Sequence, residues 1–215
     1  ILMANKFPGA RPHYLLLTDD GYRRQFEALD SEDFTAAREV LGKLNETRYL
    51  MLFNCGIKSG CSRLHKHMHV FPAPDPQEFK LWPDRVGEGD RGIKLPFKAF
   101  VHRFDDKEKQ NGDSYPPVDI LLPIYHSLLQ KSRAALSMSD DDRSVPAHNV
   151  ILDKNWLVVV PRRSAGPDGA GVNVLGMLGI ILCDSEEAMG PWMEWGPATV
   201  LAEAGVPVGE RKEEE

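Results

Sequence analysis

Cysteine is scarce in this chain, and apolar runs long enough to span a membrane are missing from its sequence. Three cysteines in 215 residues are an odd and sparse set, which is typical of a reducing compartment and unlike a disulfide scaffold. The longest apolar stretches, 157–161 and 178–183, have the length of strands, whereas a spanning helix needs about 20 residues. We therefore expect no membrane partner and a cytoplasmic location, with the nucleus as the alternative.

An excess of positive charge is also lacking. The chain has 26 lysines and arginines against 32 aspartates and glutamates, so its formal net charge is −6. This balance argues against nucleic acid as a partner and still allows a local basic pocket. The chain starts at Ile1 inside a segment that is already patterned, so we expect it to be the C-terminal portion of a longer protein.

Strands and helices are mixed along the chain without regular βαβ alternation, which predicts the α+β class. Apolar runs predict strands at 12–18, 49–54, 65–71, 148–152, 156–160 and 176–183. Helical spacing predicts helices that begin near Asp30 or Ser31, that cover 120–136, and that cover 199–204. Between 72 and 113 the prolines and charges indicate a long surface excursion.

Three histidines within five positions dominate the functional interpretation. In the run HKHMH, His65, His67 and His69 would share one face of a strand, about 6–7 Å apart from one to the next. A neutral imidazole nitrogen is a nucleophile toward phosphorus near pH 7, provided that the other ring nitrogen is held by an acceptor. The preceding turn, 59–63, carries glycine and serine whose backbone N–H groups suit a phosphate. The middle histidine would be the nucleophile and the outer two its assistants.

Two other interpretations of the histidines stay open at this point. Alternating histidines on a strand can bind zinc, and Cys55 and Cys61 lie nearby, but no further ligand pair completes a typical site. The histidines could also simply lie on the surface of a strand. The first alternative predicts a metal centre, whereas the second predicts no chemistry.

The residues around the cluster resemble a known family. The run 60–69, GCSRLHKHMH, is similar to the active-site segment of the fungal-type diadenosine tetraphosphate phosphorylases, also called ATP adenylyltransferases. These belong to the histidine-triad superfamily, in the branch of galactose-1-phosphate uridylyltransferase. The segment 5–8, NKFP, and the segments WLVVVPR and LGMLG within 148–179 also resemble this family.

The resemblance implies a histidine-triad-like antiparallel sheet flanked by helices. It also implies phosphorolysis of diadenosine tetraphosphate to ATP and ADP through a covalent AMP–histidine intermediate, with dinucleoside polyphosphate, inorganic phosphate, ATP and ADP as partners. His67 would be the catalytic nucleophile, assisted by His65 and His69. The expected substrate-binding residues are Lys6, Asn54, Gly60, Cys61, Ser62, Arg63, Lys154 and Arg162. No organic cofactor or protein-bound metal is implied, and a divalent cation such as Mg²⁺ is the candidate companion of the nucleotide.

We expect three segments: a nucleotidyltransferase core over 1–140, a C-terminal β unit of ATP adenylyltransferase type over 141–208, and a disordered tail over 209–215. The chain departs from the family at His69, where glutamine is usual, and at Cys61 and Arg63, which replace alanine and glutamine. The histidine leaves open whether phosphate or water accepts the AMP group. A hydrolase of the same substrate class and an inactive nucleotide-binding protein are therefore the alternatives.

Overall fold

A computed structural model describes residues 1–44, 47–85, 94–109 and 113–209. The strands are β1 (Leu2–Ala4), β2 (Tyr14–Leu17), β3 (Tyr49–Cys55), β4 (His67–Pro72), β5 (Phe100–Arg103), β6 (His148–Leu152) and β7 (Trp156–Pro161). The helices are α1 (Ser31–Lys43), α2 (Trp82–Arg85), α3 (Val118–Ala135), α4 (Val174–Met177), α5 (Glu186–Trp195) and α6 (Pro197–Ala204). None of these described helices is long and apolar enough to cross a membrane.

The strands form one antiparallel sheet in the order β1-β2-β4-β3-β6-β7-β5. Helices flank the sheet, so the expected α+β class and the histidine-triad-like sheet are confirmed. The central ladder joins β3 to β6 through five residue pairs, from Met51 opposite Leu152 to Cys55 opposite His148. The sheet therefore runs across the predicted boundary at residue 140, and that division stays a prediction.

Two apolar layers cover the two faces of the sheet. One face packs on α1 and α3 around Phe34, Met51 and Tyr125. The other face packs on α4, α5 and α6 around Leu52 and Trp192. The strands β3, β6 and β7 are buried at every position, which explains why their sequences are almost continuously apolar and do not alternate.

Helix α1 begins where the sequence predicts. The Asp30 carboxylate accepts hydrogen bonds from the N–H groups of Glu32 and Asp33, and the Asp33 carboxylate accepts from the N–H of Asp30. This reciprocal capping box satisfies N–H groups that have no partner inside the helix. The helix then buries Phe34, Ala37 and Leu41 at helical spacing. Local sequence thus fixes both its start and its buried face.

Several segments differ from the sequence predictions. The segment 176–183 is not a strand, because Asn173 caps the short helix α4 and the chain then turns at Gly179, whose φ is +89°. The segment 72–113 contains α2 and the edge strand β5, which pairs with β7, so it is more than a surface excursion. The predicted tail 209–215 lies, apart from Gly209, outside the described residues.

Candidate active site

Two of the three clustered histidines lie side by side on one face of β4. Met68 and Val70 point to the opposite face, where they join the core beneath α1 and α3. The rings of His67 and His69 have centroids 5.0 Å apart. The alternation of a strand thus brings the two rings together, as the sequence predicts.

His65 lies just before the strand. It pairs with Arg24 in an isolated bridge, and β4 begins two residues later than predicted. Its Nε2 lies 3.0 Å from the hydroxyl of Thr18, which follows β2. The ring of His65 therefore contacts the residue that follows β2, while its backbone carbonyl contacts the ring of His67.

One hydrogen bond decides which ring nitrogen of His67 carries the proton. Its Nδ1 lies 2.8 Å from the backbone carbonyl oxygen of His65. A carbonyl can only accept, so Nδ1 carries the proton and Nε2 has a free lone pair. Burial lowers the pKa of His67, so the ring is neutral at pH 7. The chain thus presents a neutral nucleophilic nitrogen at the middle position of the cluster.

Gln25 holds the backbone of His67. Its side-chain oxygen accepts from the His67 N–H at 2.7 Å. Its amide nitrogen donates to the carbonyls of Asn54 at 2.9 Å and His67 at 3.0 Å. One buried side chain therefore bridges the ends of β3 and β4. Sequence reasoning missed Gln25, because a glutamine in a turn carries no signal of its own.

His69 has a histidine partner that sequence reasoning also missed. Its Nδ1 lies 3.0 Å from Nε2 of His13, and the nearer ring nitrogen of His13, Nδ1, lies 3.2 Å from the amide nitrogen of Asn5. The Asn5 amide is oriented by its oxygen, which accepts from the N–H of Phe7. Since Asn5 donates to His13 Nδ1, His13 donates through Nε2 to His69 Nδ1.

This chain of donors fixes the tautomer of His69. Its Nδ1 accepts, so its proton is on Nε2, and His69 offers an N–H group beside His67. Burial lowers the pKa of His69 to about 3 and also lowers that of His13. Both rings are therefore neutral at pH 7, and His69 acts as a hydrogen-bond donor that carries no charge.

Asn54 lies near His67, at the end of the neighbouring strand. Leu52 pairs with His69, and two residues further along β3 the side chain of Gln25 bridges the carbonyls of Asn54 and His67. Its oxygen accepts from the amide of Asn149 and from the N–H of Val174, both at 2.9 Å. These two bonds fill its lone pairs and leave the amide nitrogen as the group available for a ligand.

Arg162 is not available to a phosphate, which corrects the sequence expectation. It is buried and its five N–H groups donate to five oxygens of the protein. The acceptors are the carbonyls of Ser59, Ser164, Val172 and Ala204 and the side-chain oxygen of Asn149. An arginine at the end of a strand resembles a surface residue in sequence, and only the packing shows that it is enclosed.

The glycine turn before the histidines packs closely against the backbone of Val172 and Asn173. Gly60 has a φ of +83°, and a Cβ there would lie 2.4 Å from the carbonyl oxygen of Val172 and 2.7 Å from Cα of Asn173. Only glycine allows this approach of two backbones. Of the predicted residues that follow, Cys61 is half-buried, whereas Ser62 and Arg63 are exposed.

The two predicted lysines are placed differently. Lys6 is exposed, with its Nζ 5.3 Å from the ring centroid of Phe7, and it follows Asn5 on the His69 side of the cluster. Lys154 lies in the turn between β6 and β7, which is the end of the sheet opposite to His67. Contact between Lys154 and a phosphate bound at His67 is therefore not supported.

The zinc alternative finds no donor set in the part of the chain that the structure describes: no three His, Cys, Asp or Glu side chains converge there as a metal site. Cys55 is buried and its thiol donates to the carbonyl of Glu27.

An apolar cavity of about 540 Å³ adjoins the cluster through Phe71, and its lining includes Phe79 and Leu182.

Two family models match the chain. The N-terminal domain of Ap4A phosphorylase (Ap4A is diadenosine tetraphosphate) matches residues 1–83, and the C-terminal domain of ATP adenylyltransferase matches residues 93–207. The second match alone covers more than half of the 215 residues. The chain belongs to the ATP adenylyltransferase and Ap4A phosphorylase family.

Two relatives in Saccharomyces cerevisiae support this assignment. The chain is 29% identical to Protein APA1 over 206 residues, and 29% identical to diadenosine 5',5'''-P1,P4-tetraphosphate phosphorylase 2 over 213 residues. These alignments cover 86% and 87% of this chain and 62% and 63% of the relatives, so the chain spans about three fifths of their length.

The structure also resembles crystal structures of yeast Ap4A phosphorylase Apa2. The complex with Ap4A has a TM-score of 0.78 at 28% identity, and the complex with AMP has a TM-score of 0.79 at 29% identity. Each comparison covers 96% of this chain and 73% of the Apa2 chain.

Both matched regions of this adenylyltransferase-family chain contribute to the site. His67 and Asn54 lie in the first region, whereas Asn149 and Arg162 lie in the second. The ladder between β3 and β6 joins the two regions. The surroundings of His67 therefore depend on the docking of the second region.

Proposed function

We propose that this protein transfers AMP from diadenosine tetraphosphate to inorganic phosphate and releases ATP and ADP. The observation that carries the proposal is the hydrogen bond from His67 Nδ1 to the carbonyl of His65, because it leaves Nε2 free to attack phosphorus. The family to which the chain belongs supports the choice of substrate.

In the first step, Nε2 of His67 attacks the α-phosphorus of the dinucleotide. The N–P bond forms while the bond from the α-phosphorus to the bridging oxygen breaks, and ATP leaves with that electron pair. The imidazole becomes positively charged in the adduct, since Nδ1 keeps its proton. The carbonyl oxygen of His65, 2.8 Å away, stabilises this charge.

Hydrogen-bond donors around His67 would stabilise the charge on the phosphoryl oxygens. His69 offers Nε2–H, and Asn54 offers its amide nitrogen from the neighbouring strand. Donors that are fixed before the reaction stabilise a transition state without reorganisation. Both side chains are uncharged, so the positive charge that a second anion requires must come from other residues.

In the second step, an oxygen of inorganic phosphate attacks the adduct and the N–P bond breaks, which gives ADP and returns His67 to its neutral state. A dianionic acceptor needs positive charge nearby. The exposed side chains of Lys6 and Arg63 are the candidates for this charge. A Mg²⁺ ion that accompanies the nucleotide would be bound by the polyphosphate itself.

Hydrolysis is the second candidate, and His69 is the observation that favours it. A histidine at this position is typical of the hydrolytic branches of the superfamily, whereas glutamine is usual in phosphorylases. His69 nevertheless offers the same kind of N–H donor as a glutamine amide, so phosphorolysis remains our choice. We also propose a reducing, cytoplasmic compartment, supported by three free cysteines.

Product analysis with labelled inorganic phosphate tests the proposal. We expect ATP and ADP in equal amounts, with the label in the β-phosphate of ADP, and an acid-labile AMP adduct on His67. Replacement of His67 by Asn should lower the rate by about 10⁴-fold or more, while replacement of the exposed His126 by Asn should leave it unchanged. AMP and ATP as products, at a rate indifferent to phosphate, would establish a hydrolase instead.

A further inference from the structure

A buried cation is connected to the candidate phosphoryl site through two amide side chains. Arg162 Nη1 donates to the oxygen of Asn149 at 2.6 Å, and the amide nitrogen of Asn149 donates to the oxygen of Asn54 at 2.9 Å. The backbone of Asn54 is joined to that of His67 through the side chain of Gln25, which donates to both carbonyls. The three side chains form a continuous line of hydrogen bonds that starts at Arg162 and ends at Asn54.

The direction of every bond in this line is fixed by its ends. A guanidinium can only donate, so the Asn149 oxygen faces Arg162 and its nitrogen faces Asn54. The same nitrogen donates to the carbonyl of Ser59 at 3.0 Å, and the Asn54 oxygen accepts from the N–H of Val174. Neither amide can be reversed without placing two donors or two acceptors together.

The charge of Arg162 is not cancelled by its partners. All five acceptors are carbonyl or amide oxygens, and none is a carboxylate. Burial lowers the pKa of Arg162 to about 9, which still leaves it cationic at pH 7. In a low-dielectric interior, a cation that polarises one amide strengthens the donors of the next.

Asn54 is the end of the line and has one group left over. The residue is 4% exposed and its side-chain oxygen is fully used. Within the described part of the chain its amide nitrogen has no hydrogen-bond partner and is not among the fully buried atoms that lack one, so it reaches the surface of the site, where a ligand can supply an acceptor. The two N–H groups of Asn54 therefore point to an anionic ligand at His67.

We propose that Arg162 and Asn149 are positioning residues that orient and polarise the Asn54 amide, which donates to a non-bridging phosphoryl oxygen during transfer to His67. The proposal rests on the function proposed above and adds to it the residues that act from behind the site. Arg162 thereby contributes its charge to the reaction without touching the substrate.

A double-mutant cycle separates this role from simple support of the fold. Single-turnover formation of the AMP–His67 adduct should fall about 10²–10³-fold in Asn54→Ala, the cost of one lost oxyanion donor. It should fall at least about 10-fold in Arg162→Met, because the amide donor loses its polarisation. In the Asn54→Ala background, Arg162→Met should have almost no further effect. Effects that multiply would overturn the proposal, since they would show that Arg162 acts through another route.

The adjacent Arg163 supplies the matched control. Its side chain is exposed, so Arg163→Met should leave the rate unchanged. If Arg162→Met does not yield folded protein, Asn149→Asp carries the same test. It keeps an acceptor for Arg162 but removes the donors to Asn54, and adduct formation should fall as far as in Asn54→Ala. A rate within about twofold of the parent protein would contradict the proposal.

NMR of the asparagine side chains decides the question independently of turnover. On addition of AMP or inorganic phosphate, the Nδ2 protons of Asn54 should move downfield, and in Arg162→Met they should start upfield of their position in the parent protein. Resonances of Asn54 that respond to neither ligand nor substitution would refute the proposed polarisation of Asn54 by Arg162. A parent protein that forms no adduct would refute only the proposed function, because the titration still tests that polarisation.

Discussion

At the scale of single residues, the site is a set of uncharged groups whose protons are held in place by neighbours. The carbonyl of His65 fixes His67, and the line from Asn5 through His13 fixes His69. Each neighbour has only one possible role, as donor or acceptor, so each tautomer is determined. The tautomers that the proposed mechanism needs at His67 and His69 are therefore already present in the unliganded protein.

The role of His69 leads to a prediction about its replacement. In His69→Gln, the amide oxygen replaces Nδ1 as the acceptor of the His13 N–H, and the amide nitrogen replaces the Nε2–H donor. We expect His69→Gln to form the adduct within about threefold of the parent rate, and His69→Leu, which offers no donor, to fall about 10²-fold. Single-turnover rates measure both. Equal losses in the two variants would show that His69 only fills space.

The residues differ in how far sequence could predict them. His67 and His69 are found because strand alternation is a local rule. His13 is 56 residues from His69, and a lone histidine gives no sign of such a partner. Arg162 and Asn54 are both predicted to bind substrate, but which of their atoms are free is decided by long-range packing, and it leaves none free on Arg162. Sequence therefore finds the histidine cluster and misses the groups that hold it.

At the scale of elements, the turn 56–63 is held by backbone and side chains of the second matched region. Gly60 touches Val172 and Asn173, and the carbonyl of Ser59 accepts from both Asn149 and Arg162. A glycine at this position suggests either a positive φ or a close approach to a phosphate, and the φ of Gly60 is +83°. The structure shows that this glycine is needed for the contact between two segments of the protein.

This contact predicts that Gly60 is more costly to replace than other glycines with positive φ. Gly179 is the matched control, since its φ is +89° and a Cβ there would meet nothing closer than Phe79 at 3.4 Å. We expect Gly179→Ala to lower the free energy of unfolding by about 1–2 kcal/mol from backbone strain. Gly60→Ala should lower it by about 3 kcal/mol or more, because overpacking adds to strain. Urea unfolding of both variants measures the difference, and equal losses would contradict the explanation.

At the scale of the whole molecule, the sheet encloses several histidines in their neutral form. His148 is completely buried, with Nε2 accepting from the Tyr125 hydroxyl at 2.9 Å and Nδ1 donating to the carbonyl of Pro146 at 2.7 Å. Burial lowers its pKa to about 4, and burial also lowers the pKa values of His67 and His69. The same burial that prepares the nucleophile thus affects the stability of the fold.

The stability of the protein should therefore fall as the solution is acidified below pH 6.5. The unfolded chain takes up protons near the ordinary histidine pKa of 6.5, while the folded chain resists them until the lower folded-state values are reached. His148 alone accounts for about 3 kcal/mol between pH 6.5 and its folded pKa of about 4. No loss from these groups is expected above pH 6.5, where both states are neutral. Urea unfolding at pH 7.5, 6.0 and 5.0 should show this decline, and His126→Ala, which removes an exposed histidine, should show it equally. A free energy of unfolding that stays constant over this range would mean that the histidines titrate alike in the folded and the unfolded protein, which would contradict the lowering of their pKa values by burial.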